Sequence, residues 1–376
     1  MTNKRNIITR RGFCAAAAAT LAFPTVLTSR KAAAADTLKL LSWYGYGEPD
    51  LVAAFEEANN VKIEAKYYTG GDNMLALLAE SPPGTYDVIL SDAEYVSALT
   101  QADYLEKMSA DDYPLDDFFP EFQRFSVPGF WKGNDLHAIP CAFGFLGVSY
   151  NTERFTEKDA MSYGLLWRDD VKGKVGHFDW HLPNLMCLSL YNGNTNPGPH
   201  ELSDAAWRAL QDKTLSLRPQ VRGFFDYGGV LSSLKNGEIT AMCGIGDWIT
   251  GVLQKDGHPV DTILPEEGGI MFTEGLGIGK NTGKPELARR YIQYLTSPEG
   301  QVRRAKMVAY PSSIPNKKAW ELYNQREPHE AKRSRMLLSA PNVIDDIRAG
   351  RVHIRRWPTK QSLSDWNDFW VEYKNS

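Results

Sequence analysis

Between residues 38 and 91 the chain reads strand, helix, strand, helix, strand, and this alternation constrains the fold more than any other feature. Leu38-Lys-Leu-Leu-Ser is a short apolar run that ends in Trp43 and Tyr46 within a glycine-loosened turn. Pro49 opens a helix, with Asp50 in the first turn where an acid suits the positive end of the helix dipole. Leu51, Phe55 and Ala58 fall on one side of that helix. Residues 61–67 alternate as a strand should, Thr69-Gly-Gly-Asp72 caps a second helix, and residues 86–91 form a buried-strand run that empties into Asp92 and Glu94. This order predicts an α/β fold with a parallel sheet. Ligands of such sheets sit beyond the carboxyl ends of the strands. Trp43, Tyr46, Asp92 and Glu94 all fall at that level, so they are candidate site residues.

The first 35 of the 376 residues have a different character. Lys4, Arg5, Arg10 and Arg11 form a basic head, residues 14–26 are a short Ala-rich apolar run, and Ala32-Ala-Ala-Ala35 offers small residues to a peptidase. The pattern predicts a cleaved export signal rather than a membrane span. Thr9-Arg-Arg-Gly-Phe13 is twin-arginine-like, and the expected destination is the periplasm. Six of the 42 Lys and Arg residues and none of the 46 acids precede Asp36, so a chain starting there has 36 basic against 46 acidic side chains, a net charge of −10. That balance disfavours nucleic acid as a partner and suits a cationic ligand. Cys141, Cys187 and Cys243 are widely spaced in apolar contexts, without metal-type spacing, and are expected as buried thiols, one disulfide among them being possible.

Further along, the second half repeats the first. Residues 175–178 form a short strand ending in Asp179, Trp180 and His181, and residues 239–243 form another that runs into Gly244-Ile-Gly-Asp247-Trp248. Residues 138–151 and 260–264 are expected to cross between two lobes, residues 274–278 to rejoin the first, and Tyr310-Pro-Ser-Ser313 to pass the cleft. The expected division is residues 36–140 and 270–312 in lobe 1, and residues 141–269 and 313–376 in lobe 2.

Trp43-x-x-Tyr46, Asn60-Val-Lys-Ile, Tyr86-Asp-Val-Ile-Leu90, Gly147-Val-Ser-Tyr-Asn151, Asn236-Gly-Glu-Ile-Thr240 and Ser297-Pro-Glu299 follow in one order and spacing. Together they resemble the periplasmic substrate-binding proteins of ABC importers, in particular the spermidine/putrescine type. The resemblance implies a two-lobed type II periplasmic-binding-protein fold whose ligand cleft lies between lobes joined by crossing segments. It implies hinge closure on a small amine and delivery to permease subunits, so that the chain meets the membrane only through the permease, as a monomer. It also implies that Trp43 and Tyr46 are the two first-lobe aromatics, that Glu274 is the ligand-binding acid, and that Phe272 and Tyr310 line the cleft. Asp92 stands where the family has a small hydroxyl residue and Glu94 where it has an aromatic. The family's second-lobe acidic pair is here His181 and Asn184, and its central Trp is Gly244, with Trp248 displaced beyond Asp247. One end of a polyamine site is thus rewritten, which keeps ω-amino acids in view, with Arg355 or Arg356 as the carboxylate partner should either reach the cleft.

Enzyme signatures are absent from the sequence: no G-x-S-x-G elbow, no Walker A loop, no H-E-x-x-H. Seven histidines are scattered, and the Asp179-Trp180 break separates His177 from His181. The expectation is a non-enzymatic receptor with no cofactor and no metal. Its candidate ligand residues are Trp43, Tyr46, Asp92, Glu94, Trp180, His181, Asp247, Trp248, Phe272, Glu274 and Tyr310. The alternatives are a ferric-iron-binding transport protein, for which Tyr67-Tyr68 is the one adjacent tyrosine pair, and an exported hydrolase using Asp179, His181 and Asp247.

Overall fold

The computed structural model describes residues 36–376, so the export-signal expectation lies outside the described residues. The chain begins as the alternation predicts. β1 (Asp36–Ser42) pairs in parallel with β2 (Val61–Tyr67) along its whole length, and with β3 (Val88–Asp92) on its other side. The connecting helices are α1 (Pro49–Asn59) and α2 (Gly71–Glu80), and α3 (Ala93–Gln101) follows β3 directly. α1 ends because Asn60 takes up the left-handed conformation, φ 50°, and closes the last turn onto Glu56 and Glu57 carbonyls. All five residues of β3 are buried, as a strand covered on both faces requires.

A small hairpin, β4 (Trp131–Lys132) and β5 (Asp135–Leu136), precedes β6 (Ile139–Leu146), which lies wholly in the first sheet. The chain then crosses at Gly147 into β7 (Val148–Asn151) of a second sheet. A side chain at Gly147 would meet the Ile263 carbonyl oxygen at 2.1 Å, because the outgoing and returning crossings run in backbone contact there. After α4 (Glu157–Ala160) come β8 (Val175–Phe178), α5 (His181–Tyr191), α6 (Asp204–Ser216), β9 (Val221–Phe225), α7 (Tyr227–Lys235), β10 (Ala241–Cys243), α8 (Asp247–Lys255) and β11 (Val260–Ile263). The second sheet has the order β11-β7-β10-β8-β9, with β10, β8 and β9 parallel. β9 escapes a reading by alternation, since Arg222-Gly223 interrupts its apolar residues.

The return strand β12 (Gly269–Ile278) is longer than the sequence suggests and is buried throughout. β6 covers one edge of it. Along its other edge lie two strands, β3 antiparallel at residues 274–278 and β13 (Val352–Ile354) parallel at residues 269–271. Their carboxyl ends therefore approach each other head to head, with Asp92 opposite Glu274 and Ile354 opposite Met271. Helices α9 (Pro285–Thr296), α10 (Pro298–Ala305), α11 (Lys317–Arg326), α12 (Pro328–Arg333), α13 (Val343–Arg348) and α14 (Leu363–Asn375) complete the chain. α14 packs Phe369 on Trp207 of α6, and its Trp370 and Lys374 hold Asp179. Cys141, Cys187 and Cys243 are all buried free thiols. Among the described residues no helix is long and apolar enough to cross a membrane.

Candidate ligand-binding site

Residues from both sheets wall a cavity of about 620 Å³, and they come chiefly from the carboxyl ends of strands. Trp43 and Tyr44 follow β1, Tyr67 and Tyr68 close β2, and Asp92 ends β3. Phe178, Asp179 and Trp180 follow from β8, Phe225 and Asp226 from β9, and Gly244 from β10. Leu146 lines it just before the crossing at Gly147, and Tyr310 lines it from the segment between α10 and α11.

The rings form two clusters along the wall. The indole of Trp43 lies 4.6 Å from the ring of Tyr68 and 5.8 Å from that of Trp180. Trp248 joins Phe178, Tyr227 and Tyr310 at centroid distances of 5.5, 6.1 and 5.2 Å. Such faces favour a cation. The indole N–H groups of Trp43 and Trp180 are buried with no hydrogen-bond partner among the described residues, so each has a donor left to give.

Arg355, one residue beyond β13, is the basic side chain of the cavity wall. It is 4% exposed, and its backbone N–H donates to the Met271 carbonyl. Its guanidinium pairs with Asp92 at 2.7 Å and Glu94 at 2.5 Å, and lies over the rings of Trp180 at 4.7 Å and Phe272 at 5.7 Å. Burial works against the charge of Arg355, but Asp92 and then Glu94 outweigh it and hold its pKa above the ordinary range. Burial pushes Asp92 well up despite Arg355, with the Glu94 charge adding to it, and it pushes Glu94 up as well. Two acids share one base here.

Of the candidates taken from the sequence, Trp43, Asp92, Trp180, Trp248, Phe272 and Tyr310 line the cavity. Five do not, and each has a physical reason. Tyr46 and Glu274 are both fully buried beneath the wall. The Tyr46 hydroxyl donates to Glu274, Arg304 pairs with Glu274 at 2.9 Å, and the Arg304 guanidinium lies 4.6 Å from the Tyr46 ring. Glu94, in the first turn of α3, sits behind Asp92 on Arg355. His181 begins the buried helix α5, and Asp247 points away from the cavity to Arg333 at 2.5 Å. Arg355 reaches the cavity, whereas Arg356 is exposed. Sequence reading missed Tyr44, Tyr67, Tyr68, Phe178, Phe225 and Tyr227 as a set. The rule that reveals them, aromatics just after each strand, needs the strand ends located to within a residue.

Asn184 is committed too. Its amide donates to the Phe178 and Trp180 carbonyls, so its Oδ1 accepts from His177 Nδ1 at 2.8 Å, and His177 Nε2 accepts from the Tyr373 hydroxyl at 3.1 Å. His177 is therefore a neutral structural histidine. Burial lowers the pKa of His177 and of His181 to about 4. An unfolded chain binds these protons near pH 6.5, so folding stability falls as pH drops from 6.5 towards 4 and is level above that window. The loss is of order 3 kcal/mol for each histidine. Thermal melts across that window check this, and His181→Leu should flatten part of the slope.

A cavity between two α/β sheets, floored by a buried acid and walled by aromatics, defines a binding protein for a small solute. The family model described as "Bacterial extracellular solute-binding protein" matches residues 50–327, and the chain belongs to that family. It is 26% identical over 281 residues to the spermidine/putrescine-binding periplasmic protein of Escherichia coli, covering 74% of this chain and 77% of that one. It is 22% identical over 322 residues to a putrescine/agmatine-binding protein of Pseudomonas aeruginosa, covering 77% and 83%. A solved structure of a putative spermidine/putrescine ABC transporter protein from Listeria monocytogenes superposes with a TM-score of 0.75 at 19% identity, over 90% of this chain and 99% of that one. The fold is the type II periplasmic-binding-protein fold, and the chain is a periplasmic solute-binding protein, not an enzyme. The hydrolase alternative accordingly falls: Asp179 is held by Lys374 and Trp370, Asp247 by Arg333, and His181 is buried.

Proposed function

We propose that the protein is the receptor of an ABC importer, capturing a small cationic or zwitterionic amine between its lobes and presenting it to permease subunits. The observation that carries this reading is the buried carboxylate of Asp92 at the floor of an aromatic-walled cavity. Ammonium groups are held by that combination, through cation–π contact and a charge-assisted hydrogen bond. The polyamine-binding relatives support the amine class.

Trp43, Asp92, Trp180, Trp248, Phe272 and Tyr310 would touch the ligand, while Tyr46, Glu94, Glu274 and Arg304 would set the shape and charge of the floor. The same proposal takes in hinge closure about the crossings at Gly147 and residues 264–268, lobes built on the two sheets, a monomeric state, and export by the amino-terminal signal. The ferric-iron alternative has one observation in its favour, since Tyr67 and Tyr68 both line the cavity. Their hydroxyls, however, donate to Glu48 at 3.1 Å and to the Leu90 carbonyl at 3.0 Å.

A thermal-shift screen of amines, ω-amino acids, sugars and Fe(III) tests the proposal. Stabilisation by an amine-bearing compound is the expected result, and a shift with sugars or Fe(III) alone would overturn it.

A further inference from the structure

The structure assigns the buried floor of this cavity to one ammonium group, not two, because Arg355 is a built-in cation occupying the place of the second. This rests on the amine reading and specifies its ligand.

The charges are few enough to count. Glu274 and Arg304 form a neutral pair beneath the wall, and Arg304 also donates to the Tyr46 hydroxyl and to the Tyr310 carbonyl. Asp92 and Glu94 share Arg355, leaving a net charge of −1 when both acids are ionised. Asp179 and Asp226 also line the cavity but are solvent-exposed: Asp179 is paired with Lys374, and Asp226 caps α7 through the Gly229 N–H. His181 stays neutral in its buried place. The buried floor is therefore short of a single positive charge. Of the two acids only Asp92 lines the cavity, and one Glu94 oxygen is buried without a hydrogen-bond partner. One ligand ammonium on Asp92 balances the group. A second would enter a region whose remaining acid is already matched by a guanidinium, and would lose its water without a free counter-charge.

Arg355 is placed by the fold rather than by a flexible reach. β13 and β3 lie end to end on one edge of β12, so the residue after β13 meets the residue that ends β3. The rings of Trp180 and Phe272, 4.7 and 5.7 Å from the guanidinium, hold it against the wall by cation–π contact. The arginine is thus a specificity-determining residue: it leaves uncompensated charge at the buried floor for one ammonium group and disfavours a second one there.

Calorimetric titration with pentylamine, cadaverine and the matching ω-amino acid tests this, the three sharing one carbon chain and differing in end groups. The better of the two single-ammonium compounds should bind at least about tenfold more tightly than cadaverine. Arg355→Gln should narrow or reverse that ratio by unmasking the second acid. Should that variant not fold, Glu94→Gln serves, since it keeps Arg355 and removes the net negative charge. Single-ammonium binding should then weaken about tenfold. Cadaverine binding more tightly than both others to the unaltered protein overturns the inference while leaving the amine reading intact. An unchanged ratio in Arg355→Gln, or unchanged affinity in Glu94→Gln, overturns it likewise. Silence towards every amine removes both.

Discussion

Arg304→Met should destabilise the protein by about 3–5 kcal/mol, the usual cost of removing one partner from a buried ion pair. Arg304 is 1% exposed and is shared by Glu274, the Tyr46 hydroxyl and the Tyr310 carbonyl. Methionine fills much of the volume but leaves the Glu274 carboxylate buried without its counter-charge. Replacing Glu274 by Gln in the same chain should recover a good part of the loss, because an amide is far cheaper to bury than an anion. Chemical denaturation of the single and double variants measures the difference. Lys374→Ala, which breaks a partly exposed pair with Asp179 at the surface, provides the contrast and should cost no more than about 1 kcal/mol. Equal losses for Arg304→Met and Lys374→Ala would show that the pair beneath the cavity does not stabilise the floor.

Asp92→Asn should weaken binding of the amine ligand by roughly tenfold to a hundredfold, the value of a hydrogen bond to a charged group. Stability should change much less than in Arg304→Met, because Glu94 still holds Arg355 at 2.5 Å. The variant also lowers the charge of the floor from −1 to zero, so affinity should become less sensitive to salt. Titration of Asp92→Asn against the unaltered protein at two ionic strengths reads both effects. An unchanged dissociation constant would remove Asp92 from the site and leave the aromatic wall as the recognition element.

Arg304 and Asp92 also mark the boundary between what could be read in the chain and what could not. The alternation of strands and helices from Leu38 to Ser91 was legible because each element carries its own periodicity and its own start and stop signals, such as Pro49 and Asn60. Once strands alternate with helices the sheet is parallel, and the carboxyl ends of its strands are the binding edge. Trp43, Asp92, Trp180 and Trp248 could therefore be named from sequence, being local to those ends. Asp247 shows the limit of that rule. Asp179 is the first residue after β8, whereas Asp247 comes four residues after β10 and starts α8 facing Arg333, and a shift of a few residues changes which way a side chain looks.

By itself, then, the sequence determined the α/β class, the two-lobed repetition and the level at which the cavity lies, since these follow from local patterns and chain order. Only the tertiary structure decided which base each buried acid meets. Glu274 and Arg304 are 30 residues apart, and Asp92 and Arg355 are separated by 263. No spacing in the chain encodes either partnership. It took β12, with β3 and β13 meeting on one of its edges, to set an arginine from the end of the chain against an acid near its beginning. Coulombic attraction depends on distance in space, and the fold alone supplies that distance.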